Sequence, residues 1–162
     1  MQPTERMDDT MTVQENVALA QSLVNLYNSH QSDPAWLDKS LSTFAADSTF
    51  TDVPSGRTLP GSDGYKQLVL FFAEAFPESN AELTNAFATE DQLVIELTGR
   101  GTNTGPLHLP TGDIPATGRY SELRFCEVMQ CRNGKIVSFH IYYDNMTLLQ
   151  NLGLVPVPGQ AN

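Results

Sequence analysis

RYSELRFCEVMQCRNGKIVSFHIYYD, residues 119–144, decides the architecture. Asn133-Gly134 divides it into two runs whose side chains alternate with period two. A two-residue hairpin turn of type I′ needs positive φ at both central positions, and Asn-Gly meets that need best. Residues 119–131 and 135–144 are therefore two long paired strands. Upstream, residues 81–89 and 92–102 alternate in the same way around a Glu90-Asp91 turn. Thr49 to Val53 makes a shorter strand, ended by Pro54-Ser-Gly56. A loop rich in Gly and Pro spans Gly105 to Gly118.

Ahead of the strands the period is helical. Thr12-Val-Gln-Glu15 is a capping box, with Thr12 at N-cap and Glu15 at N3. Val13, Val17, Ala20, Val24 and Tyr27 follow at three- and four-residue spacing, which predicts a helix over 13–29. Asp33-Pro34 opens a second, short helix with Trp36, Leu37, Leu41 and Phe44 on its apolar side. Gly61 to Gly64 opens a third, striped by Tyr65, Leu68, Val69, Phe72 and Phe76. Helices first and a strand meander after them predict an α+β fold, a curved antiparallel sheet packed against three helices. Such a sheet encloses a cone whose mouth is a natural ligand site. The domain spans 12–156, between tails at 1–11 and 157–162.

With 162 residues the chain forms one domain with a single core. A net charge of −10 with only nine scattered Lys and Arg argues against a nucleic-acid partner and against an anionic membrane surface. No apolar run is long enough to span a bilayer, and the N-terminus lacks the apolar stretch of a secretory signal. Cys126 and Cys131 are five apart on one strand, hence on opposite faces, and no Cys/His cluster has zinc spacing. Reduced thiols without a signal point to the cytoplasm. Neither a G-x-S-x-G element nor a phosphate-binding glycine loop occurs.

In order along the chain, several elements resemble the SnoaL-like polyketide cyclase group, ester cyclase-like members of the NTF2-like superfamily. Phe44-Ala-Ala-Asp47 followed by Asp52 resembles its "F-a-x-d…d" segment, and Gly61 to Phe72 its "G-x-e-a-i-x-x-f" helix. Gly101-Thr-Asn-Thr-Gly105 is similar to "G-T-H-T-G", Thr117-Gly-Arg119 to "p-T-G-r", and Asn133-Gly-Lys-Ile136 to "d-G-K-I". Asp144 with Leu148 to Gly153 is similar to the terminal "D-x-x-x-l-l-x-Q-L-G". The resemblance implies an NTF2-like cone without cofactor or metal, and a homodimer through the outer sheet face is expected. It also implies an acid/base role for Asp144 in an intramolecular aldol ring closure. Two positions depart from the pattern: Asn103 stands where the family has His, and His140 where it often has Trp.

Two roles are open for Asp144. It can N-cap the segment Asn145-Met-Thr-Leu-Leu, or act as acid/base in the cone. In the second case period two brings His140 and Tyr142 to the same face. The opposite face, with Val137, Phe139, Ile141 and Tyr143, is then a dimer surface. Asp52 could face the pocket or be a turn carboxylate. Arg119 and Arg124 could hold an anionic group or form ion pairs. Trp36, Tyr27 and Phe72 are core residues that could also line the inner wall, and Asn103 is a further ligand-contact candidate. Glu96 and Glu127, mid-strand, are expected on a solvent face. The functional expectation is a cofactor-independent enzyme using acid/base chemistry (aldol cyclisation, isomerisation or dehydration) on an apolar carbonyl compound. The alternative is a dimeric accessory protein that binds a small apolar ligand without turnover.

Overall fold

The computed structural model describes residues 11–160, so residues 1–10 and 161–162 of the two expected tails lie outside the described residues. Among the described residues there are four helices: α1 Val13–Asn28, α2 Trp36–Leu41, α3 Gly61–Ala75 and α4 Asn145–Asn151. The strands are β1 Phe44–Asp52, β2 Arg57–Pro60, β3 Asn80–Ala88, β4 Gln92–Thr102, β5 Leu107–Leu109, β6 Gly112–Ile114, β7 Tyr120–Arg132 and β8 Lys135–Tyr143. The capping box forms as expected. Thr12 Oγ1 accepts from the Glu15 amide at 3.1 Å, and the Thr12 amide donates to Glu15 Oε2 at 2.7 Å. Asn133 and Gly134 both adopt positive φ, 52° and 73°, as their turn requires.

Six strands form one sheet in the order β2-β1-β8-β7-β4-β3, and β5 pairs with β6 in a separate small hairpin. The sheet is antiparallel except between β1 and β8, which run parallel. That pair joins two distant parts of the chain, so no hairpin constrains its direction. The Gly105–Gly118 loop, expected to be irregular, thus carries a short hairpin of its own.

One face of the sheet is covered by α1 and α3, and the side chains directed there make the core. On β7 these are Ser121, Leu123, Phe125, Glu127, Met129 and Cys131; on β8 they include Phe139 and Ile141, 0% and 1% exposed. The face of β8 expected to meet a second protomer is therefore the core face. Because side chains alternate, the more apolar set goes under the helices and the set with His140 and Tyr142 is left outside. Phe139 stacks on Phe50 and meets Phe44 and Tyr65 at ring distances of 5.3, 5.9 and 5.4 Å. Gly64 lets α3 come this close to β1, since a Cβ there would lie 2.4 Å from the Phe50 ring.

Candidate functional site

Between the helices and the inner face of the sheet lies a cavity of about 90 Å³. That is room for several waters or part of a small organic ligand. Its wall is mainly aromatic and aliphatic: Phe72, Phe76, Phe125, Leu97, Leu123 and Ile141 all contribute. The polar residues along it are Glu127, Tyr65, the Tyr27–Ser79 pair and Ser121, with Asn80 and Arg100. Tyr27 and Phe72 are among the residues that line it.

Glu127 is the principal correction to the sequence reading. It was expected on a solvent face, and it is 8% exposed on the inner one. In register it lies between Ile95 of β4 and Ile141 of β8, both apolar and buried. Burial without a compensating charge or hydrogen bond pushes its carboxyl up to about 8. A signal for this was present. Leu123, Phe125, Met129 and Cys131 share its parity on β7, so a lone carboxylate stood in an otherwise apolar register.

Tyr65, on α3, is 4% exposed and faces the same cavity. Burial, then the charge of Glu127, then Tyr27 push its hydroxyl far above the usual tyrosine range. It stays a neutral donor at any ordinary pH. Tyr27 Oη lies 2.7 Å from Ser79 Oγ.

The other residues singled out from sequence are elsewhere. Asp144 is the N-cap of α4. Its carboxylate accepts from the Met146 amide at 2.9 Å, the Thr147 amide at 3.3 Å and the Thr147 hydroxyl at 2.6 Å. The Thr147 hydroxyl, then the Thr147 and Met146 amides, hold it below the usual carboxylate range. It is exposed and does not line the cavity. Asp144→Ala is expected to cost about 1 kcal/mol of unfolding free energy, the usual loss for an N-cap. Urea unfolding at neutral pH reads this, and no change would mean that α4 does not need its cap.

Tyr142 is 43% exposed on the outer face, and His140 lies on that face with it. Both are outside because period two ties them to the side opposite Phe139 and Ile141. Trp36 is core, edge-on to Tyr27, and not part of the cavity wall. Asn103, 0% exposed, spends its amide on the chain itself. Its Nδ2 donates to the carbonyls of Ala75 and Gly105, and its Oδ1 accepts from the Thr117 amide and hydroxyl. It fastens the Gly105–Gly118 segment to the end of α3 and has nothing left for a ligand. Arg119 is exposed and packs over Gly153, whose backbone has φ +70°.

Asp52 faces inward at the end of β1, in one cross-strand row with Ile141 and Glu127. Its Oδ1 is buried without a partner. It lies beside Tyr143, whose hydroxyl is pushed up to about 12 by burial and then by Asp52. It is not part of the cavity wall, although its cross-strand neighbour Ile141 is. Among the described residues no group of three or more His, Cys, Asp or Glu could hold a metal ion. No helix there is long and apolar enough to cross a membrane.

The SnoaL-like polyketide cyclase family model matches residues 18–152, and the chain belongs to that family. No curated protein matches the chain. Among solved structures, AclR, a putative hydroxylase from Streptomyces galilaeus, is 21% identical, covers 91% of each chain and has a TM-score of 0.74. A putative SnoaL-like polyketide cyclase from Jannaschia sp. CCS1 is 16% identical over 94% of this chain and 99% of its own, with a TM-score of 0.75. IdmH, a putative polyketide cyclase from Streptomyces antibioticus, is 23% identical over 85% and 98%, with a TM-score of 0.67. At these identities the structures attest the shared fold.

Proposed function

We propose that the protein is a cofactor-independent acid/base enzyme acting on a small apolar carbonyl compound, with Glu127 moving the proton. One observation carries this reading: a buried carboxyl in an aromatic-walled cavity, with its pKa raised to about 8. A general base works best with a pKa near the operating pH, and burial tunes Glu127 into that range. Membership of the cyclase family supports the same class of chemistry.

In its ionised form Glu127 takes a proton alpha to a carbonyl. The C–H electron pair becomes the enolate, and the carboxylate becomes a carboxylic acid. Attack of the enolate carbon on a second carbonyl leaves an alkoxide, and the acid returns the proton to it. Protons balance, and no electron is gained or lost. The Tyr65 hydroxyl, which has no hydrogen-bond partner among the described residues, donates to the enolate oxygen while charge develops there.

Exchange of the alpha protons of 2-acetonaphthone in D2O, followed by NMR, tests this. Exchange above the buffer rate is expected to rise with pH through about 8 and then level, because the ionised carboxylate is the base. Glu127→Gln should lower it by about 100-fold or more. Exchange that survives in Glu127→Gln and vanishes in Asp144→Ala would move the chemistry to the helix cap and overturn the assignment. Binding of the ketone with no exchange would leave a ligand-binding protein without turnover.

A further inference from the structure

Glu127 and Tyr65 serve one end of the cavity, and the other end carries a pair of hydroxyls that the proton transfer does not use. The inner face of β4 and β7 descends in rows: Gly101 with Ser121, Gly99 with Leu123, Leu97 with Phe125, Ile95 with Glu127. Ser79 lies over the first row, since a Cβ on Gly101 would come within 2.9 Å of the Ser79 Cβ. Three steps of two residues along β7 separate that row from Glu127. The wall between is apolar, formed by Leu97, Leu123, Phe72, Phe76 and Phe125. The cavity is polar at its two ends and greasy in its middle.

Counting hydrogens at the far end leaves one over. Tyr27 Oη and Ser79 Oγ are 2.7 Å apart, and either can be the donor. Each hydroxyl carries one hydrogen, so their contact uses one of two. The second has no acceptor among the described residues, although both side chains line the cavity. Burial raises the Tyr27 hydroxyl above its ordinary range, so the pair keeps both hydrogens at working pH. The pair is part-buried, and water or a ligand oxygen in the cavity can take that hydrogen.

We infer that the Tyr27–Ser79 pair is a second ligand-anchoring subsite, donating one hydrogen bond to an acceptor oxygen at the end of the ligand remote from Glu127. The inference rests on the reading of the cavity as the site of a carbonyl ligand. It defines the ligand further: elongated, apolar along its middle, with a neutral oxygen acceptor at each end.

Two probes that differ by one atom test the subsite. 6-Methoxy-2-acetonaphthone carries an ether oxygen where 6-ethyl-2-acetonaphthone carries a methylene, and both keep the ketone. Titration calorimetry on the whole protein gives the ratio of their affinities. Wild type is expected to bind the methoxy compound about fivefold more tightly, the worth of one net hydrogen bond. Tyr27→Phe and Ser79→Ala each retain one hydroxyl, now free to donate, so each single variant keeps the preference. Only the double variant loses it and binds the probes alike. A purely structural role would weaken both probes together and leave the ratio unmoved. Tyr27→Phe keeps the ring edge-on to Trp36, so the packing there survives. Equal binding of the two probes by wild type, or a preference that persists in the double variant, overturns the subsite and leaves the cavity reading standing. Loss of the preference in Glu127→Gln with its retention in the double variant places the ether oxygen at the wrong end and also overturns it. Failure of wild type to bind either probe removes the cavity reading and the subsite with it.

Discussion

Glu127→Gln is expected to make the protein more stable, and increasingly so as the pH rises. The folded protein holds this carboxyl at about 8, against an ordinary value of 4.5. Between those limits the folded state keeps a proton that the unfolded chain has released. Stability therefore falls as pH rises across that window, by about 1.4 kcal/mol per pH unit from this group. The total is on the order of 5 kcal/mol, reached near pH 8 and constant above it. Glutamine cannot ionise, so the variant escapes the fall. Urea unfolding of both proteins at pH 5, 7 and 9 reads the difference. It should be small at pH 5 and several kcal/mol in favour of the variant at pH 9. The hydrogen-bonded carboxylates Asp33, Asp47 and Asp144 have lowered values and act in the opposite sense, but they are common to both proteins and cancel. A difference that stays flat with pH would mean that Glu127 reaches solvent. A charge kept where it weakens the fold is what a working site costs a protein.

Asn103→Ala should destabilise the protein by about 4 kcal/mol, among the largest effects of any single change here. The asparagine amide satisfies two carbonyls and accepts from the amide and hydroxyl of one threonine, all in a position with no solvent access. Alanine leaves these groups without partners and leaves a small void. Asn103 also exchanges backbone hydrogen bonds with Arg119 and Gly118, at 2.8 and 2.9 Å, and these remain in the variant. The loss should thus be partly local. Amide hydrogen exchange should speed up first at Thr117 and along the β5–β6 hairpin, before β7 is affected. A loss below about 1 kcal/mol would show that water replaces the amide at this clamp.

The strand pairs and helices were legible because each is announced by local chemistry. Asn133-Gly134 has the two positive φ values its turn demands, and the Thr12–Glu15 box starts α1 where the pattern says it should. Family resemblance, read from short motifs in order, agrees with the family model over residues 18–152. The candidate site was less legible. Tyr27 and Phe72 were readable as inward-facing because a helix stripe names its own inner face. Asp144, His140 and Tyr142 were grouped on one face of the strand; His140 and Tyr142 share its outer face, and Asp144 lies past its end as the cap of α4. Glu127 was passed over because a mid-strand carboxylate is usually solvated, and its apolar neighbours in parity were not weighed against that habit.

Sequence alone determined the alternation, the turns, the helix starts and the order of elements, because these depend on residues only a few positions apart. It also carried the motif series that marks the family. Which of two alternating faces would be covered was decided by the tertiary structure. Helices α1 and α3 pack on the side where Phe139, Ile141 and Met129 can be buried together, and a period of two fixes only that faces differ, never which is inside. The same packing raises the pKa of Glu127, since desolvation depends on everything around a group and not on its neighbours in the chain.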